Sequence, residues 1–290
     1  MKKFMKGSAI AGLICLLVGL VIFAIGALGG GMKYMNKSNT TPLQNIVNLA
    51  KDFGVVEISG MNISFGTDTF NNHIFNSNQE EYESGEYTFE DVTGEDLKII
   101  VGAGQLQVKT YSEEVIKLEV GEYDKMQCFK DGDCITVIGG VVENGSDSGM
   151  ILYLPEDVVY DEVLVEVGAG SIDVNGLTAH EAKFEVGMGY IIVENTKVTS
   201  LTTEVGMGEI IFSGSADGDV SVDCGMGSVN MTLDGKSEVY NYELKCGMGS
   251  LSVEDVYYIA GIGEQDVDNG AEKEMEISCA MGNVEVKFSK

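Results

Sequence analysis

One eight-residue phrase constrains this chain more than any other feature. It reads Val167-Gly-Ala-Gly-Ser-Ile-Asp-Val174, Val186-Gly-Met-Gly-Tyr-Ile-Ile-Val193, Val205-Gly-Met-Gly-Glu-Ile-Ile-Phe212, Cys224-Gly-Met-Gly-Ser-Val-Asn-Met231 and Cys246-Gly-Met-Gly-Ser-Leu-Ser-Val253. An outlying copy, Val101-Gly-Ala-Gly-Gln-Leu-Gln-Val108, lies upstream, and a variant, Cys279-Ala-Met-Gly-Asn-Val-Glu-Val286, lies downstream. The first glycines, Gly168, Gly187, Gly206 and Gly225, are 19 residues apart, and Gly247 follows after 22. A fixed period of this size marks a solenoid or array, in which each copy is one structural unit stacked on its neighbours.

Aligned on the first glycine, positions −3 and −1 are mostly apolar: Val165/Val167, Phe184/Val186, Thr203/Val205, Val222/Cys224, Leu244/Cys246 and Ile277/Cys279. Position −2 between them is mostly acidic, with Glu166, Glu185, Glu204 and Asp223, which is the outward side of a period-two strand. After the glycines the apolar positions are +4 and +6, so the inward phase has slipped by one residue. A strand changes phase only at a corner or bulge. The second glycines, Gly170, Gly189, Gly208, Gly227 and Gly249, offer a backbone able to take positive φ there. The unit is therefore strand, glycine corner, strand.

A 19-residue rung holds two or three strands of about five residues plus turns, with no room for a crossover helix. The expected fold is all-β, a single-stranded parallel β-helix (β-solenoid) whose successive copies stack directly on one another. Each rung would bury about five or six apolar side chains, worth roughly 1.5–3 kcal/mol apiece before chain entropy is charged. A single rung is unstable alone; a stack is not.

The formal charge is −28, and all 18 basic residues are Lys. An acidic, Arg-free surface matches phosphate backbones poorly, which excludes nucleic acid as a partner. The Gly-x-Gly phrases are followed by strands rather than helices, which excludes a dinucleotide cradle, and no cofactor is expected. Ala9 to Leu28 is a continuous apolar run behind Lys2, Lys3 and Lys6, long enough for a retained transmembrane helix with the remainder outside the cell. Thr41-Pro42 followed by Leu43, Ile46, Val47, Ala50 and Phe53 predicts a short amphipathic helix ending at Gly54. A strand is expected at 55–65 and a polar linker at 66–85. The domain division is 1–31 for the cytoplasmic tip and anchor, 32–86 for the juxtamembrane helix and linker, and 87–290 for the solenoid.

Stacked in register, Glu166, Glu185, Glu204 and Asp223 would stand about 4.8 Å apart, either as a solvated ladder or as a weak divalent-cation column. Cys128 and Cys134 flank the turn at Lys130-Asp-Gly-Asp133 and would face each other across a three-residue loop, a candidate disulfide. Cys224, Cys246 and Cys279 share the inward −1 position. They are expected to pack beside the methionines at 188, 207, 226, 248 and 281, as ordinary core or, alternatively, as a soft-metal set. About 14 extra residues near Tyr257 to Lys273 predict a loop. Tyr240, Tyr242, Tyr257 and Tyr258 in these stretched segments are a candidate partner surface, or else they roof the last rungs. His73 and His180 are isolated and no nucleophile–base constellation is evident, so the chain is not expected to be an enzyme.

The repeated V-G-A/M-G-S-I-x-V phrase, with Leu152-Tyr-Leu-Pro155 and Val163-Leu-Val-Glu-Val167 before it and one hydrophobic segment at its N-terminal side, resembles the bacterial β-strand-repeat proteins known as putative adhesins, a domain of unknown function. The resemblance covers Tyr87 to Lys290. It implies a membrane-tethered β-solenoid, in some members tied to cell-envelope stress systems, and brings no catalytic residues. The chain departs from the commoner phrase in using Met where Ala is usual and Cys at three stacked positions. The expected role is a single-pass membrane protein displaying an adhesion, interaction or envelope-scaffold module to an unidentified protein or cell-surface ligand. The alternatives are an accessory of envelope sensing and a polymer-cleaving β-helix enzyme.

Overall fold

The computed structural model describes residues 75–289 apart from 91, 93–94, 142–148 and 255. The apolar run at 9–28, the helix at 41–54, the strand at 55–65 and His73 lie outside the described residues. Among those described, no helix is long and apolar enough to cross a membrane.

The described chain is all-β. β1 (Gly85–Phe89) precedes the first rung, β2 (Asp96–Val101) and β3 (Gln105–Tyr111). β4 (Ile116–Val120) and β5 (Asp124–Asp131) lead to β6 (Cys134–Val141) and β7 (Met150–Pro155). The regular stretch is β8 (Tyr160–Val167), β9 (Ser171–Asn175), β10 (Thr178–Val186), β11 (Tyr190–Val205), β12 (Glu209–Ala216), β13 (Val220–Cys224) and β14 (Ser228–Asp234). After a 3₁₀ turn at Ser237–Val239 come β15 (Tyr240–Cys246), β16 (Ser250–Val253), β17 (Tyr257–Ala260), β18 (Gly263–Val267), β19 (Lys273–Cys279) and β20 (Asn283–Ser289).

Strands before the glycine corner form one parallel column, in the spatial order β6, β2, β8, β10, the end of β11, β13, β19, β15. Strands after the corner form a second, in the order β7, β3, β9, the start of β11, β12, β14, β20, β16. Register is held throughout, so that Val101, Val167, Val186, Val205, Cys224, Cys279 and Cys246 form one file. Positions −5, −3, −1, +4 and +6 of each rung turn inward and are buried, as with Ala182, Phe184, Val186, Ile191 and Val193.

Two features differ from the sequence expectation. First, copies are not stacked in chain order. The β2/β3 rung sits between β6/β7 and β8/β9, and the β19/β20 rung sits between β13/β14 and β15/β16. The spacing of 22 rather than 19 before Gly247 has its cause here: the three-residue turn Ser237–Val239 carries the chain past a vacant rung, which the last segment then fills. Second, the 257–273 insertion is not a loop. It is a reversed rung, with β17 antiparallel on β16 and β18 antiparallel on β15. The other end is closed in the same manner by β4 on β7 and β5 on β6. Short, charged outer strands such as Gly263-Glu-Gln-Asp-Val267 discourage further edge pairing.

The corner glycines also act differently from expectation. Of the phrase's glycines only Gly104 has positive φ. Crowding is what excludes a side chain at the second glycine: a Cβ at Gly170, Gly189, Gly208, Gly227, Gly282 or Gly249 would strike the carbonyl oxygen of the matching glycine on the adjoining rung. The first position is less strict and is Ala280 in the last copy. Positive φ is used instead at the second corner, by Gly176, Asn195, Gly235 and Glu254.

Candidate functional site: a methionine-walled groove

The residue between the two glycines faces solvent. Ala103, Ala169, Met188, Met207, Met226, Met281 and Met248 follow one another up the corner, each methionine amide donating to the rung beneath, as Met207 N does to Gly187 O at 2.8 Å. Met207, Met226 and Met248 are 49%, 53% and 64% exposed, and Ile262, at the turn of the reversed rung, extends the ridge at 90%. This corrects the expectation that the methionines pack beside the cysteines. The chain turns through the corner between −1 and +1, so thiol and thioether lie on opposite sides of the backbone. A sequence signal existed: the column jumps from Ala169 to Met188 between adjoining rungs, a volume change that a close-packed interior tolerates poorly.

Beside the methionine ridge runs the floor of second glycines, and beyond it a polar file at +3: Gln105, Ser171, Tyr190, Glu209, Ser228, Asn283 and Ser250. Glu209 accepts from Asn230 Nδ2 at 2.9 Å, and Ser250 Oγ bonds Asn283 Oδ1. From Ala103 to Ser228 these walls enclose an open groove of about 990 Å³. A side-chain-free floor permits close backbone approach. Unbranched thioethers adapt to irregular apolar surfaces. The arrangement suits binding of an extended segment and offers no paired acid and base.

A family model described as Toastrack DUF4097 matches residues 127–288, more than half of the chain. The chain belongs to the Toastrack DUF4097 family. Solved structures to which this Toastrack chain is similar include a putative cell adhesion protein from Clostridium sporogenes ATCC 15579, at 14% identity and TM-score 0.38, covering 73% of this chain and 100% of that one. Putative adhesins from Bacteroides fragilis NCTC 9343 and Parabacteroides distasonis ATCC 8503 are each 10% identical. They have TM-scores of 0.31 and 0.30, covering 71% and 72% of this chain and 97% of theirs. No curated protein matches it.

The Toastrack stack brings Glu166, Glu185, Glu204 and Asp223 into one column, as the repeat implied. Lys183 stands across that column, 2.6 Å from Glu185 and 2.9 Å from Glu204, so an ammonium already balances its centre. Burial, then the neighbouring Glu185, raises the Glu166 carboxyl, and burial, then Glu204 and Glu276, raises Asp223. Among the described residues, Glu243, Glu264 and Asp266 form a further, exposed carboxylate cluster at the reversed rung, with Lys245 ion-paired to Glu243.

The other candidates move. Cys128 and Cys134 are free thiols. The hairpin closes with a two-residue turn, Gly132 at φ 64°, which pairs Asp131 with Cys134 and Cys128 with Val137. That register, one residue tighter than expected, puts the two thiols on opposite faces. Burial pushes the Cys128 thiol up to about 12.

Tyr240 and Tyr242 are core, not surface. Their hydroxyls donate to Ala216 O at 2.7 Å and Ser237 O at 2.5 Å, and burial pushes Tyr240 up to about 12. Tyr242 shares the inward −5 file with Val220 and Met275, a phase that could have been counted from the alignment. Tyr257 is half-buried against Tyr242, while Tyr258 stays 69% exposed. His180 is exposed, 3.9 Å from Asp161.

Proposed function

We propose that this protein is a non-catalytic adhesion or interaction module. The apolar segment at 9–28 would hold it at the cell membrane, with the β stack outside the cell and the methionine-walled groove engaging an extended segment of a partner protein. The observation that carries this reading is the ridge Met188, Met207, Met226, Met281, Met248 and Ile262, half-buried at Met188 and Met281 and exposed at the other four, an apolar line about 24 Å long at one residue per rung. Its backbone is locked by the corner hydrogen bonds, so the cost of ordering on binding falls mainly on the side chains. A net charge of −28 disfavours anionic partners and favours neutral or basic ones.

The test is a photo-crosslinking side chain placed at Met207 of the full-length protein in its membrane, with Glu166 as the control position. A discrete protein adduct is expected from Met207 and not from Glu166. The adduct should disappear when Met226 and Met248 are changed to Glu, changes that at exposed sites move stability by no more than about 0.5 kcal/mol. Equal adducts from both positions, or an adduct indifferent to those changes, would remove the groove from the binding surface.

A further inference from the structure

We propose that Cys224, Cys279 and Cys246 form a site for a soft monovalent d¹⁰ cation, Cu(I) or Ag(I), held in linear dithiolate coordination with Cys279 as the shared central ligand. The −1 file holds Val at 101, 167, 186 and 205, and its three cysteines occupy three adjoining rungs without interruption. Because the last rung is threaded between two earlier ones, the central thiol is Cys279 rather than Cys246. In chain order the thiols are 224, 246, 279; in space they are 224, 279, 246. All three are buried free thiols, and Cys279 is paired in register with Cys224 on one side and Cys246 on the other.

Spacing decides what such a file can hold. Parallel strands in register keep neighbouring positions about 4.8 Å apart, wider than the roughly 3.5–4.5 Å between Cβ atoms that an S–S bond needs. With the roughly 2.3 Å metal–thiolate bond of zinc as a guide, a linear S–metal–S unit spans about 4.6 Å, close to that spacing. The set is too poor for a tetrahedral ion. The −2 and +3 side chains on these rungs turn outward, so among the described residues two sulfurs are the side-chain donors in each gap, with the Ser250 carbonyl oxygen 3.7 Å from Cys279 Sγ. Thiolate ligands with low coordination select a soft ion such as Cu(I). Binding in one gap converts two thiols and M⁺ into an anionic RS–M–SR unit, with both protons leaving to solvent.

Access runs through the glycine floor. The Cβ that Gly282 lacks would lie 2.6 Å from Cys224 Sγ, and that of Gly249 3.0 Å from Cys279 Sγ, so only backbone covers the sulfurs on that side. The thioethers of Met226, Met281 and Met248 stand two residues along the chain from each thiol, on the exposed side. They offer weaker soft ligands at the entrance.

The experiment titrates Ag(I), which needs no reductant, into the full-length protein in detergent micelles with Cys15, Cys128 and Cys134 changed to Ser, and reads stoichiometry by native mass spectrometry and affinity by calorimetry. Cys279→Val places in the file the residue found there in other rungs, so the core stays filled; unchanged melting confirms it. Affinity is expected to fall at least 100-fold in Cys279→Val, which leaves two thiols two rungs apart, and to persist in Cys224→Val and in Cys246→Val, each of which keeps one gap. The triple change of Met226, Met248 and Met281 to Leu should leave the equilibrium affinity within about threefold. Binding unaffected by Cys279→Val, equal partial losses at all three cysteines, or loss in the methionine triple alone would each overturn the assignment.

Discussion

Between Val163 and Asp234 the chain climbs one rung at a time, and each glycine phrase pairs with the one before it in sequence. At both ends it does not: Val101 lies against Val167, 66 residues on, and Cys224 against Cys279, 55 residues on. The local geometry of the two regions is the same, with the same register, corner and inward positions. What differs is how much chain must be closed before a rung is complete. A repeat period dictates the height of a step and leaves the order of steps to topology. Threading the terminal segments inward replaces loose end rungs with interior ones, and turns the stretches left outside into antiparallel caps. The ends therefore depend on late, long-range closure, while the middle can form from neighbours.

The largest contrast should come from deletion. Removing residues 271–290 takes away an interior rung that buries Met275, Ile277, Cys279, Val284 and Val286. At roughly 1.5–3 kcal/mol each, that is comparable with a whole domain's net stability. Residues 240–267 are expected to lose protection in hydrogen exchange and the thermal transition to broaden or vanish. Deleting one whole middle period, 187–205, should instead give a shorter stack that still melts cooperatively. If both deletions behave alike, the topological distinction is wrong.

Next in size are the glycines. Gly208→Ala, in the middle, drives a methyl into the Gly189 carbonyl and should cost about 3 kcal/mol or more by chemical denaturation. Gly132→Ala, at the outer hairpin, has open space around it and pays only for its positive φ, about 1 kcal/mol. Comparable with the Gly132 change are two hydroxyls. Tyr240→Phe removes the bond to Ala216 O near the C-terminal end and should lose about 1 kcal/mol. Thr203 sits fully buried in the inward file of the middle with its Oγ1 unpartnered, so Thr203→Val should gain about 1 kcal/mol.

The smallest effect is a slope against pH. Glu166 and Asp223 have folded-state carboxyls raised above their ordinary range by burial and by acidic neighbours. Each therefore contributes stability that is present in full below that range and lost as pH rises through the raised value. Stability should increase as pH falls through the raised carboxyl range toward the ordinary one, and Glu166→Gln with Asp223→Asn should flatten that part of the profile. An unchanged slope in the double variant would assign the pH dependence to other groups, such as buried Asp124 near the opposite end.

What the sequence determined by itself is the unit. Alternation on either side of the glycines placed Phe184, Val186, Ile191 and Val193 inside and the Glu166 column outside, because a two-residue period has only two phases and one of them was apolar. It also held more than was read from it: the −5 phase of Tyr242 and the Ala169-to-Met188 jump. Only the tertiary structure decided that Cys279 comes between Cys224 and Cys246, that the insertion folds back as a cap, and that the methionines line an open groove. Pairing of identical repeats is nearly degenerate in local energy. Order along the stack is therefore chosen by loop lengths and by the need to cover both ends, which are properties of the whole chain rather than of any one phrase.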